Sequence, residues 1–491
     1  MKTGLRTMPN LWLFGRESRD YITYQLIGSQ GERPNCGVRH LQCVLLFFGL
    51  TVAYALRVNL SVAIVAMTDN STNPDFETYT WDNKGVVLSS FFFGYVVTQV
   101  PSGQLAHRFG AKYLLFFGLL LCSVLAIGTP WLASFGGQSA VIAVRVVQGL
   151  SQGVVFPSTH NILSRWSPLE ERGRLTTYCY AGSQFGTVIM LAVSGEMASS
   201  NLGWPSIFYI SGLVGVVWSA AWLLFGSSSP SENRFISAEE RNLIEKSQRV
   251  VEDGEKKSLP TPWLKIFTSP AFLSLTLVHC THNWGFWTLL TEIPTYMNSV
   301  LGMDIKSNAL YSSLPYLAMW IMCYVFAILA DIMNKWECIS LNFSRKFFNS
   351  VGHWIPMVAL IGLGYMTKET TGLAIALLTV AVGMNAAVYL GFQVNHIDLA
   401  PNHAGTLMGI TNCAANIMSL IAPLTVDAIV KDEKDPVEWR TVFFVSSGFY
   451  LVGNLLFIIF GKTQVRKWND YGIESSTEME GKPEGKNVAE P

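Results

Sequence analysis

The stretch GSSSPSENRFISAEERNLIEKSQRVVEDGEKKSLPTPWLKIFTS, Gly226–Ser269, lies near the middle of a 491-residue chain and is polar almost throughout. On either side the sequence turns apolar in long runs. Six runs precede it, near 40–67, 85–106, 112–132, 139–163, 175–197 and 205–226. Six follow, near 271–297, 309–331, 347–366, 371–393, 404–430 and 441–461. Each is long enough for a helix to cross a hydrocarbon core, which takes about 20 apolar residues. The pattern predicts an all-α polytopic membrane protein with twelve transmembrane helices in two six-helix halves. The units expected are a tail 1–39, a first half 40–226, a linker 227–269, a second half 270–461 and a tail 462–491 whose polar sequence reads as disordered. Within the linker, Ser237 and Glu240 have the spacing of a capping box opening a short helix.

The distribution of basic residues orients the chain. With the amino terminus inside, 26 of the 34 Lys and Arg fall in inside segments and 6 in outside loops. The opposite orientation inverts that bias, so both termini are expected in the cytoplasm. Charged residues make up only 14% of the chain, against about 25% in ordinary soluble domains. The formal net charge is zero, which offers no electrostatic footprint for nucleic acid. Eight scattered cysteines and eight histidines form no zinc spacing and no histidine box of a membrane di-iron enzyme. No enzyme activity, metal or cofactor is expected; the expected partners are the bilayer and a small solute, handled by a monomer. Asn70-Ser71-Thr72, in the first outside loop, is a glycosylation sequon.

Two charges sit inside spans. Arg57 lies in the first, on one helical stripe with Tyr54. Arg145 lies in the fourth, AVRVVQGLSQGVVFPSTH (Ala143–His160), on one face with Gln148 and Gln152. A charge at membrane depth must be paired, reach an interface or serve a function. No acid stands at midplane, and Arg145 is about seven residues from the end of its span. Two arginines without a carboxylate make an anion site, since the guanidinium fork matches carboxylate or phosphate. His279, His282 and Asn283 in the seventh span and Asn385 in the tenth are polar candidates for the same pathway. The bland alternative for each is a satisfied core residue.

Long motifs then carry a resemblance. RVNLSVAIVAM, FFFGYVVTQVPSGQLAHRFGAK, VRVVQGLSQGVVFPSTHNILSRWSPLEERGRL, GWPSIFYISG, LTEIPTYM, SSLPYLAMW and FQVNHIDLAPNHAGTLMGITN are similar to the anion/cation symporter family of the major facilitator superfamily. That family includes sialin, the vesicular glutamate transporters and the type I sodium/phosphate cotransporters. Among its branches the sequence resembles the insect inorganic phosphate cotransporters.

The resemblance implies that Arg57 and Arg145 bind the anion. His160, Asn395, His396 and Asp398 become gating or structural residues of the inner side. Gly103, Arg108, Gly110 and Lys112 match the superfamily loop after the second span, where glycines allow a tight turn. His107 replaces the usual aspartate there, and Asp331 is the acid of the equivalent place in the second half. Sialin-like members carry glutamates where this chain has Gln148 and Gln152, and those glutamates are implicated in proton coupling. The expectation is therefore symport of phosphate or a small organic anion with sodium, by alternating access at the plasma membrane. Alternatives are a proton-coupled or potential-driven organic anion carrier of endolysosomes or vesicles, and a non-transporting sensor.

Overall fold

The computed structural model describes residues 37–68, 76–81, 84–248, 260–303, 305–334, 339–432 and 434–470. Asn70 lies outside them. Long helices account for both halves. The first holds α1 (Val38–Thr68), α2 (Lys84–Phe109), α3 (Ala111–Gln152), α4 (Val155–Trp166), α5 (Arg172–Ser199) and α6 (Pro205–Phe225). Two short helices, α7 (Ala238–Gln248) and α8 (Trp263–Phe267), belong to the linker. The second half holds α9 (Pro270–Ser299), α10 (Ile305–Asn334), α11 (Leu341–Leu363), α12 (Thr371–Met384), α13 (Phe392–Leu399), α14 (Ala404–Ile429) and α15 (Pro436–Phe460).

Among the described residues, eight stretches are long and apolar enough to cross a membrane. One, Ala111–Trp166, runs for 56 residues and holds two crossings, parted by a left-handed turn at Gly137. Three further helices, α5, α9 and α11, have the length but more polar sequence. Together these make twelve crossings among the described residues, as the sequence predicts. The halves repeat one plan: α1 packs on α5 and α2 on α3, and correspondingly α9 packs on α14 and α10 on α12.

The fourth crossing is not one helix. It breaks at Gly153 and Val154, between α3 and α4. Pro157 lacks the N–H that would reach the carbonyl of Gly153. The Ser102 hydroxyl, 3.4 Å away, donates to that carbonyl instead. Small residues also set the packing between α2 and α3. A Cβ at Gly149 would lie 1.9 Å from the Phe91 carbonyl oxygen, and one at Gly94 2.0 Å from that of Val146.

The start of α1, the linker helix α7 and the segment after α15 share one end of the bundle, called here the tail face. Arg39 donates to Glu171 (2.8 Å) and Glu240 (3.0 Å). The Glu240 carboxylate also accepts from the backbone amides of Val38 (2.8 Å) and Arg39 (3.1 Å). The expected capping box is thus half formed. Ser237 does cap α7, its hydroxyl accepting from the Glu240 amide at 3.1 Å. The Glu240 side chain turns away because the free N–H groups at the start of α1 are stronger company for an anion.

The halves are joined on the tail-face side. Arg174 pairs with Asp331 at 2.5 Å. Asp398 accepts from Arg172 of the first half (3.3 Å) and Arg345 of the second (2.8 Å), with all three side chains nearly sealed from solvent. The His160 ring meets the Gln393 carbonyl at 3.1 Å, and Gln104 donates to Thr406 at 2.8 Å. Gly103 lies here within α2, where a Cβ would sit 2.6 Å from the Cα of Thr406. Its smallness serves contact between the halves, whereas the turn expected of it is made by Gly110, at φ 88°.

Candidate functional site

Above this closure residues of both halves line a cavity. The first half contributes Tyr54 and Arg57 from one turn of α1, Tyr95 from α2, Phe156 from α4, and Ser183 and Gln184 from α5. The second contributes His279, His282, Asn283, Phe286 and Trp287 from α9, and Asn412 and Asn416 from α14, with Gln393 from α13 and Tyr389 just before it. Among the described lining residues Arg57 bears the one fixed charge, and no carboxylate faces it.

Rings surround the Arg57 guanidinium. Its central carbon lies 4.4 Å from the centroid of Tyr95, 4.8 Å from Tyr54 and 5.0 Å from Phe91. Each ring face attracts a cation, by about 0.5–2 kcal/mol depending on how dry the site is. The rings hold the charge without neutralising it, and the Nε of Arg57 has no hydrogen-bond partner. The rest of the lining is neutral and rich in amides. Asn412 donates to Tyr95 (3.2 Å) and Gln99 (2.9 Å), and Asn416 donates to the Asn412 side chain (3.1 Å). Gln184 donates to Tyr389 at 3.1 Å. His282 also lines the cavity; its Nδ1 is buried without a hydrogen-bond partner, and its ring lies 5.3 Å from that of His353.

Of the residues named from sequence, Tyr54, Arg57, His279, His282 and Asn283 line the cavity. Arg145, Gln148 and Gln152 stand outside its lining, with Arg145 and Gln152 against the α1 main chain. The Arg145 guanidinium donates to the carbonyls of Arg57 (2.9 Å) and Leu56 (3.3 Å) and to Gln148 (3.2 Å). Gln152 donates to the carbonyl of Ala53 at 2.9 Å. Asn385 is buried farther back, its amide 3.4 Å from the Tyr450 hydroxyl.

The residues expected at the inner gate spread over the tail face. Arg108 is exposed. The Lys112 amide donates to Ser228 at 3.1 Å. His160 is bonded to Tyr180 as well as to Gln393, and His396 links the Gln393 carbonyl (2.9 Å) to Thr411 (2.7 Å). Asn395 donates to the carbonyl of Lys462 at 2.8 Å. Sequence reading missed Tyr95, Gln184, Gln393, Asn412 and Asn416. The last two were within reach as amides four residues apart on one helix face.

A family model described as Major Facilitator Superfamily matches residues 46–423. The proton:xylose symporter XylE superposes with a TM-score of 0.68 at 14% identity, covering 88% of this chain and 98% of its own, a likeness of fold alone. The chain belongs to the major facilitator superfamily. A Drosophila ananassae protein named "Putative inorganic phosphate cotransporter" is 40% identical over 87% of this chain and 93% of its own length. Human sialin is 35% identical over 89% and 92%. Human vesicular glutamate transporter 2 is 34% identical over 88% and 75%. Within the superfamily, then, it is a member of the anion/cation symporter family.

Proposed function

We propose that the protein is a secondary transporter that carries a small organic carboxylate, or phosphate, across a membrane by alternating access, with Arg57 as the anion contact. The observation that carries this reading is the cavity's charge: one guanidinium framed by rings in a lining otherwise neutral and rich in amides. A desolvated guanidinium with an unpartnered N–H favours an oxyanion. A single positive charge suits a monoanion better than a dianion, and the aromatic and amide walls suit an organic body bearing hydroxyl or ring groups. The named relatives support an anionic cargo.

Closure at the tail face, taken as cytoplasmic from the basic-residue bias, leaves the cavity to exchange with the opposite side. Breaking the Arg172–Asp398 and Arg174–Asp331 contacts would then open the cytoplasmic route. Sodium is the proposed co-transported ion, because the family resemblance sets Gln148 and Gln152 at positions where glutamates are implicated in proton coupling. The plasma membrane is the proposed location, the monomer the proposed unit, and Asn70 the proposed glycan site. A second reading rests on His282, whose unpartnered nitrogen at the cavity could carry a coupled proton.

Uptake of labelled gluconate, hippurate and phosphate into proteoliposomes, with sodium or choline outside and at neutral or mildly acid pH, tests both. Sodium-dependent uptake of the organic anions above phosphate is expected. Sodium-independent uptake stimulated by acid would replace the first reading with the second. Binding without flux would leave only a sensor.

A further inference from the structure

We propose that Arg145 is a positioning residue: it splints the turn of α1 that presents Arg57, and it does not touch the transported anion. The inference rests on Arg57 being the anion contact and concerns how that contact is held in place.

Three carbonyls of one turn of α1, those of Ala53, Leu56 and Arg57, receive donors from α3. Gln152 reaches the first (2.9 Å), and Arg145 spans the second (3.3 Å) and third (2.9 Å). These positions, spaced i, i+3 and i+4, fall on one side of the helix. Tyr54 and Arg57 send their side chains from the same turn into the cavity, whereas Arg145 is absent from the lining and meets the main chain of that turn. Gln148 accepts from Arg145 at 3.2 Å and holds it from below. Arg145 itself is 3% exposed.

A guanidinium is suited to this task. Its planar fork can serve two carbonyls at once, which a lysine ammonium on a flexible stem does poorly. The carbonyl oxygens, the Gln148 amide oxygen and the Phe91 ring, 4.9 Å from its central carbon, supply the negative density that a carboxylate would otherwise provide. Both terminal nitrogens of Arg145 are thus engaged without an acid or a substrate, and its Nε alone is buried without a partner. What it fixes is the rotation of α1 about its axis at the level of Arg57.

The test uses the full-length chain. Cysteine is placed at 57 or at 145, and each variant is treated with a charged, membrane-impermeant methanethiosulfonate reagent, the native chain giving the background. Cysteine at 57 is expected to react at least tenfold faster than cysteine at 145, roughly the contrast between a lined cavity and a closed helix contact. Equal rates would overturn the proposal. Uptake of labelled gluconate supplies a second measure. Arg145→Gln and Arg145→Lys are both expected to lower it by roughly tenfold, while in an Arg57→Lys background Arg145→Gln adds less than about twofold, because the splint acts through Arg57. Near-native uptake by Arg145→Lys, or additive losses, would mean direct contact with the anion and overturn the assignment. Unchanged uptake by Arg57→Lys would instead sink the anion site, and the reactivity ratio alone would then judge Arg145.

Discussion

Buried arginines occur in two regions of this molecule, and they are neutralised differently. At the tail face the buried Arg39, Arg172 and Arg345, and the half-buried Arg174, each meet a carboxylate. At mid-depth Arg57 meets three rings, and Arg145 meets backbone carbonyls and a glutamine. The first arrangement closes a gap between parts of the chain, since salt bridges can form and break as the halves move. The second leaves one positive charge held but unsatisfied, which a site for a visiting anion requires. The carboxylates are the difference between a latch and a receptacle.

The comparison breaks most visibly at Asp398. Asp398→Asn leaves Arg172 and Arg345 buried without a counter-charge, and losing one partner of a buried ion pair costs about 3–5 kcal/mol. Thermal unfolding of the purified protein should show a clear loss of stability, and an unchanged melting curve would deny the latch its electrostatic character. Next in size, Arg57→Ala should cost about 2–5 kcal/mol in anion affinity, read as a gluconate uptake reduced 30-fold or more at limiting concentration, with the fold retained. Uptake at the native level would remove the receptacle.

Glu240→Gln is a smaller change. It weakens hydrogen bonds made by a charged group, each worth about 1.5–3 kcal/mol, while keeping the side chain's shape. Protease sensitivity of the linker, followed by the appearance of half-length fragments, should rise if that carboxylate secures α7 to α1.

The smallest effect expected is a pH dependence at Glu171. Partial burial pushes its carboxyl up, but the hydrogen bonds and charge of Arg39, with the charge of Arg174, hold it below the usual carboxylate range. A lowered value means that its contribution is complete above the ordinary pKa of 4.5 and fades as pH falls through the folded value. Glu171→Gln should therefore narrow the stability difference between neutral and acidic solution, by no more than about 1 kcal/mol given its partial exposure. Parallel stability curves for native and variant protein would discount this pair.

Much of the fold is legible in the amino-acid sequence. Apolar runs of the right length and a polar middle specify twelve crossings, and the spacing of Tyr54 and Arg57 on one stripe puts both in the cavity. Arg145 shows where that legibility ends. The absence of a nearby acid can be read from the chain, and it suggests a substrate as counter-charge. The carbonyls of Leu56 and Arg57 cannot be read, because every residue carries the same carbonyl and only packing reveals which ones turn toward a neighbour. The same limit hides the Glu240 contact with the amides of Val38 and Arg39. The amides of Gln184, Gln393, Asn412 and Asn416 escape for another reason: neutral polar residues in membrane helices have many bland uses, and only convergence on one cavity sets these apart.

Arg145 and Gln152 address α1 through its main chain, and that has an evolutionary consequence. Side chains of the turn at Ala53, Tyr54, Leu56 and Arg57 can be exchanged without removing the oxygens those two donors need. Mutation could retune what the cavity recognises, even invert its preferred charge, while the frame that aims the turn stays intact. A transporter built this way can diversify its cargo without first reinventing its scaffold.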